Sequence, residues 1–210
     1  MTNTTSRPRL ILASQSPARL QLLRAAGIPA DVLVSGVDES TVQADRPDTL
    51  SGTLARLKAE AVAAKLRLHH TGQGRALVLG CDSVLAFDGR VLGKPDSPQD
   101  AAGRWRAMRG RSGVLHTGHC LIDLSTSKTA AEVAATTVHF ADLTDDEIEA
   151  YVSTGEPLNV AGAFTIDGLG GPFVERIEGD AGTVIGLSLP LLRKLLQEFG
   201  IPITALWRPH

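Results

Sequence analysis

Cysteine is scarce in this chain: Cys81 and Cys120 are the only two in 210 residues. Two cysteines cannot staple a disulfide-dense secreted module, and no zinc-ligand spacing surrounds them, so both are expected to be plain thiols. An excess of either charge is missing too. Lysine and arginine number 21 against 23 acidic residues, a formal net charge of -2. Non-specific grip on nucleic acid runs on basic surface that releases counterions, and this composition has no global surplus to supply it. No apolar run approaches eighteen residues, and the polar stretch Met1 to Pro8 lacks the apolar centre of a signal peptide. Neither a membrane nor a nucleic acid is therefore an expected partner, and the expected location is the cytoplasm.

Several catalytic signatures are absent as well. There is no Walker A loop, which excludes a P-loop ATPase on local grounds, and no Gly-x-Ser-x-Gly elbow for the usual hydrolase triad. Gly168-Leu169-Gly170-Gly171 fails the spacing of the dinucleotide fingerprint, and no helix follows it directly. His116, His119 and His139 lie on apparent strands with no carboxylate or cysteine at ligand spacing, and read as core or edge histidines.

What is present is an ordinary globular composition, 43% hydrophobic, in a chain long enough to bury a sizeable core. Short apolar runs (Leu10 to Ala13, Val32 to Val34, Ala76 to Leu79) alternate with amphipathic stretches such as Thr53 to Leu66, the pattern of an α/β fold. Ser16-Pro17, Ser97-Pro98 and Thr144 with Glu147 mark helix starts, and Gly27, Gly110 and Gly200 mark helix stops. Asp88-Gly89 between Val84 to Phe87 and Val91-Leu92 signals a hairpin. Val114 to Leu124 and Val133 to Phe140 suggest a second, so the sheet should be mixed. Nothing resembles a linker. The expectation is one domain over residues 1–210, its core within 8–200, with two lobes around a cleft and a mobile loop at Asp38 to Thr49.

Four features carry candidate chemistry. In Leu10 to Arg19 a strand enters a hydroxyl-rich turn and then a capped helix, which can present N–H groups, Ser14, Ser16 and the guanidinium of Arg19 to an anion. Equally, Ser16 could simply cap the helix while Arg19 faces water. Asp82 interrupts the apolar run Val78 to Phe87: it is either a buried functional carboxylate, costly unless a cation compensates it, or the tip of a turn at Gly80 to Ser83. Lys58 lies on an amphipathic stretch, and Lys94 is held between Gly93 and Pro95. Asp38-Glu39 could join Asp82 around a hard cation such as magnesium.

Taken together, Leu12 to Arg19, Gly80-Cys81-Asp82-Ser83, Leu92-Gly93-Lys94-Pro95, Tyr151 to Pro157 with Ala161-Gly162, and Gly186 to Pro190 resemble the Maf family of nucleoside triphosphate pyrophosphatases. The resemblance covers about Leu10 to Leu196. It implies a fold similar to the inosine triphosphate pyrophosphatases: an elongated mixed β-sheet with flanking helices and two lobes around a central cleft. It also implies hydrolysis of a nucleoside triphosphate to the monophosphate and pyrophosphate with a divalent metal, Mg2+ or Mn2+, and a homodimer as a candidate assembly. By resemblance, Ser14, Ser16 and Arg19 bind phosphate, Glu39 and Asp82 hold metal, Lys58 and Lys94 are cleft lysines, and Asp82 accepts the proton. Ala18, Ser83 and Asp167 depart from the family's usual residues at positions tied to base choice. Asp167 can only accept hydrogen bonds, which favours a base edge rich in N–H donors, such as guanine. The main alternative is a non-catalytic nucleotide-binding regulator of septum formation; a binding module needs the cations but no base, so Asp82 and Glu39 argue for the enzyme.

Overall fold

The computed structural model describes residues 7–69 and 74–208. Among the described residues, seven strands and six α-helices follow in the order β1 (Arg9–Leu12), α1 (Pro17–Ala25), β2 (Ala30–Val32), α2 (Pro47–His69), β3 (Ala76–Phe87), β4 (Arg90–Leu92), α3 (Pro98–Met108), β5 (Ser112–Asp123), β6 (Thr129–Phe140), α4 (Asp145–Ser153), β7 (Val174–Glu178), α5 (Ala181–Ile185) and α6 (Leu189–Glu198). One mixed sheet runs β2-β1-β3-β5-β6-β7, with β4 added to β3. β1 is parallel to β2 and β3, and every other pairing is antiparallel. Among the described residues no helix is long and apolar enough to cross a membrane.

Local signals set most boundaries. Ser16, Ser97 and Thr144 accept backbone N–H bonds at the starts of α1, α3 and α4, and Thr144 forms a full capping box with Glu147. Asp88 and Gly89 both take positive φ, +53° and +72°, which the two-residue turn between β3 and β4 requires. Two expectations need correction, and one open alternative is settled. β2 begins two residues before the Val32 to Val34 run. Helix α2 starts at Pro47, so the segment expected as a mobile loop already contains its first residues, and Asp38 caps a short 3-10 turn at Glu39–Thr41. Gly80 to Ser83 is not a turn: β3 runs unbroken for 12 residues through Asp82.

Strand alternation divides β3 between two cores. Ala76 and Val78 face α2 and join Ala55, Ala59, Val62, Ala63, Cys120 and Ile122. Leu77, Leu79 and Cys81 face the other way, into a cluster with Leu23, Leu191, Leu192 and Leu195 of α1 and α6. Further along that second face, Leu85 and Phe87 join a separate cluster built on Trp105, Phe140 and Tyr151. Trp105 is fully buried, packs edge-on against Phe140, Tyr151 and Phe173, and donates its Nε1–H to the Ala163 carbonyl at 2.8 Å. These two clusters occupy successive stretches of that face. Between them the same face turns polar at Ser83 and Thr117, which sit opposite each other on β3 and β5.

Helix α2 lies unusually close to the sheet. A Cβ on Gly80 would fall 2.2 Å from the Ala55 carbonyl oxygen, and one on Gly118 would fall 2.2 Å from that of Ser51. Only glycine at both positions lets the helix backbone rest on β3 and β5. That approach is what brings Lys58 down to Asp82.

Candidate active site

The sheet leaves a notch beside Asp82. On the β1 side, β1 pairs with β3 only over Ala76 to Leu79, and β4 takes up pairing again only at Leu85 to Phe87. Among the described residues, 80–84 of β3 therefore have no strand neighbour on that edge, and Asp82 is at the middle of the gap. Ser14 follows the end of β1 at one rim. Lys94 follows the end of β4 at the other, because β4 runs antiparallel to β3 and points its carboxyl end back toward the gap. Crevices beyond the carboxyl ends of strands are where open α/β sheets hold ligands.

Two groups of side chains flank β3 at this gap, one on the face toward α2 and one on the face toward α1, and the charge of Arg19 still acts on Asp82. In the first, Lys58 Nζ lies 2.6 Å from Asp82 Oδ1 and 2.7 Å from Glu39 Oε1. Lys58 and Asp82 are buried, with side chains 10% and 9% exposed, whereas Glu39 is 52% exposed on the open side. Burial pushes the Asp82 carboxyl above its ordinary pKa, and Lys58 and Arg19 pull it back only in part.

In the second group the guanidinium of Arg19 makes three directed bonds: Nε to the Gly186 carbonyl at 2.7 Å, Nη1 to Ser14 Oγ at 3.2 Å and Nη2 to Ser83 Oγ at 3.1 Å. Two of its five N–H donors remain for an anion. Ser14 Oγ also accepts the Ser16 backbone N–H at 3.1 Å. Both of its lone pairs are then used, so its own hydrogen is left to donate outward. Ser83 is in the opposite position. Thr117 donates its only hydroxyl hydrogen to the Thr183 carbonyl at 2.7 Å, so the 2.9 Å contact between Ser83 and Thr117 must be donated by Ser83. Its hydrogen is committed inward, and Ser83 offers an incoming ligand no donor.

The sequence-derived candidates thus fall into sets. Asp82, Lys58 and Glu39 meet directly, and Arg19 joins Ser14 and Ser83. Ser16 accepts the Arg19 backbone N–H and so caps α1, while Ala18 is half-buried on its first turn. Lys94 is exposed at the rim, and its ammonium makes no hydrogen bond or ion pair with the described residues. Asp167 is exposed on a turn held from another direction: Glu156 accepts bonds from Tyr151, Thr165, Leu169 and Gly170. Burial works against that carboxylate, but these donors hold its pKa below the ordinary value.

A family model described as Maf-like protein matches residues 9–199. The chain belongs to the Maf family. It is 66% identical to a nucleoside triphosphate pyrophosphatase of Salinispora tropica over 199 residues, 95% of this chain and 87% of that protein. Identity to the enzyme of the same name from Streptomyces coelicolor is 57% over 203 residues, 97% and 96% of the two chains. The corresponding figures for Trichodesmium erythraeum are 48% over 201 residues, 95% and 98%.

In this Maf chain the donors open to a divalent cation are two carboxylates, Glu39 and Asp82, converging on one point now bridged by an ammonium. Among the described residues no group of three or more His, Cys, Asp or Glu side chains could enclose a metal. That set suits Mg2+, which is held by one or two carboxylates and completes its shell with water and phosphate oxygens.

Sequence reasoning missed Thr117 and the carbonyls of Thr183 and Gly186. Thr117 becomes visible only through its register with Ser83. The histidines divide. His139, read as lacking a carboxylate, contacts Glu178 across the strand pair at 3.1 Å, a partner 39 residues away that spacing along the chain does not reveal. His119 is the core histidine expected. It is fully buried; the Ser188 backbone N–H donates to its Nε2 at 2.9 Å, which places the proton on Nδ1, facing the Thr117 carbonyl at 3.0 Å.

Burial pushes the His119 pKa down from 6.5 to about 4. Above pH 6.5 the ring is neutral whether the chain is folded or not. Below it the unfolded chain gains the proton first, so stability should decline by about 3 kcal/mol between pH 6.5 and 4. Urea denaturation at stepped pH checks this, and His119→Gln, which has no such titration, should show a flatter acid slope.

Proposed function

We propose that the chain is a nucleoside triphosphate pyrophosphatase that splits a nucleoside triphosphate and water into a nucleoside monophosphate and pyrophosphate. The observation that carries the reading is a buried carboxylate, Asp82, at the middle of the unpaired edge of β3, bonded to Lys58 on one face, with the oriented guanidinium of Arg19 and the Ser14 hydroxyl beside the other. The two buried free thiols, Cys81 and Cys120, suit a reducing compartment and support a cytosolic location.

In this reading Asp82 takes the proton from the water that attacks the α-phosphorus, a task for which a raised carboxylate pKa is an advantage. The bond from the α-phosphorus to the bridging oxygen breaks, and pyrophosphate leaves. Arg19, through its two remaining N–H groups, and Lys58 and Lys94 offset the charge that builds on phosphoryl oxygens. Ser14 donates its hydroxyl to a phosphate oxygen and, with the N-terminus of α1 behind it, fixes the chain of phosphates. A divalent cation held by Glu39 and Asp82 would supply further charge neutralisation and lower the pKa of bound water.

Product identity tests the reading. Incubation with a panel of triphosphates and Mg2+ or Mn2+, followed by 31P NMR, should give monophosphate and pyrophosphate as the first products. Diphosphate and free phosphate as first products would overturn it in favour of a phosphatase, and no turnover of any member would overturn it in favour of the non-catalytic regulator. Because Asp167 only accepts hydrogen bonds, GTP is expected to be turned over faster than UTP in the same panel.

A further inference from the structure

Lys58 is held on both sides by the same oxygens that a metal would need. Its ammonium sits 2.6 Å from Asp82 and 2.7 Å from Glu39, and the buried Asp82 carboxylate has no other hydrogen-bond partner among the described residues. A positive group is required there, because an unpaired buried carboxylate is expensive. The three residues come from separate parts of the fold. Asp82 is fixed in β3 and Lys58 in α2, which Gly80 and Gly118 clamp to the sheet, whereas Glu39 rides on a short exposed turn. The backbones beneath Asp82 and Lys58 are fixed, so a change of partner there falls to the flexible Lys58 side chain and to the exposed turn that carries Glu39.

We infer that Lys58 is the built-in counter-cation of the Glu39–Asp82 pair, competing with the divalent ion for the same oxygens, so that loading of that ion turns the ammonium away from the carboxylates and toward the phosphates. The inference rests on the metal role given to Glu39 and Asp82 above. It assigns Lys58 two successive partners: carboxylates before metal and nucleotide arrive, phosphoryl oxygens afterward. It also gives a reason for a lysine here in place of arginine. A flexible stem carrying a compact charge can swing between partners, whereas a guanidinium fork favours one fixed geometry.

The consequence runs against the usual effect of deleting a residue from an active site. Lys58→Met keeps the length of the stem but removes the charge, leaving two facing carboxylates with no internal cation. Mn2+ alone, titrated without nucleotide and followed by the electron paramagnetic resonance of the free ion, should bind Lys58→Met about tenfold or more tighter than the native chain. Adding Asp82→Asn to Lys58→Met should abolish that gain. Equal or weaker Mn2+ binding by Lys58→Met, or no binding to either chain, would overturn the inference. Thermal melting of each variant in chelator, then with excess Mn2+, gives a second readout: Lys58→Met should gain more in midpoint on adding the ion than the native chain does. Native turnover of the triphosphate panel is measured in parallel. If the native chain proves inactive while Lys58→Met still binds Mn2+ more tightly, the enzymatic reading fails and the counter-cation role stands.

Discussion

Asp82→Asn should reduce turnover by about 10²-fold or more, the scale expected for removing a positioned proton acceptor. Asparagine has the same shape and its Oδ1 can still accept from Lys58, but it cannot take up a proton at neutral pH. The substitution therefore separates the chemistry of the group from its packing. Stability points the other way. Burial raises the pKa of Asp82 in the folded chain, so folding disfavours its ionised form at neutral pH, and that cost disappears only below the ordinary carboxylate range. Replacing it by a neutral group removes a cost, and Lys58 keeps Glu39 as an ionic partner. The thermal midpoint of Asp82→Asn is expected to equal or exceed that of the native chain while pyrophosphate release collapses. Native-like turnover would take Asp82 out of the mechanism. A variant that fails to fold would show that the carboxylate serves structure instead.

How much of this site the sequence discloses depends on how local each determinant is. Ser16, Ser97, Thr144 and the Asp88-Gly89 turn act within a few residues of themselves, and each does what the sequence says. Asp82 is different. Its immediate neighbours, Gly80 to Ser83, suit a turn as well as a strand. What decides is α2, packed on Gly80 from more than twenty residues away and delivering Lys58 to the carboxylate. The hydroxyl chain from Arg19 through Ser83 and Thr117 to Thr183 is likewise a product of strand register. It also revises what Ser83 can do, because a residue whose hydrogen is committed inward cannot read a base by donating to it. Likeness to a family supplied the grouping of Ser14, Arg19, Lys58 and Asp82 before any geometry could, but not these hydrogen-bond directions.

The contact that makes the site should also be the point at which the fold is least tolerant. Gly118→Ala would place a methyl group 2.2 Å from the Ser51 carbonyl oxygen, 2.5 Å from its carbon and 2.7 Å from the Gly52 nitrogen. These are backbone atoms of α2, so no side chain can rotate away, and the helix must retreat by roughly 1 Å to restore ordinary contact. That retreat would loosen Ala55, Ala59, Val62 and Ala63 against the sheet and stretch the 2.6 Å bond between Lys58 and Asp82. A loss of about 3 kcal/mol is expected, the upper range for overpacking a core. For a chain of this size that lowers the thermal midpoint by roughly 6 to 12 °C. Gly103→Ala is the matched control. Its added methyl would meet nothing within 4 Å and it lies inside α3, where alanine is the better helix former, so its midpoint should hold or rise. Activity adds the decisive comparison. Below its melting range Gly118→Ala should remain folded yet turn over more slowly, because α2 no longer presents Lys58 at bonding distance, whereas Gly103→Ala should match the native rate. A Gly118→Ala chain with native midpoint and native rate would mean that α2 does not rest on the sheet at this glycine, and that Lys58 reaches Asp82 by some other route.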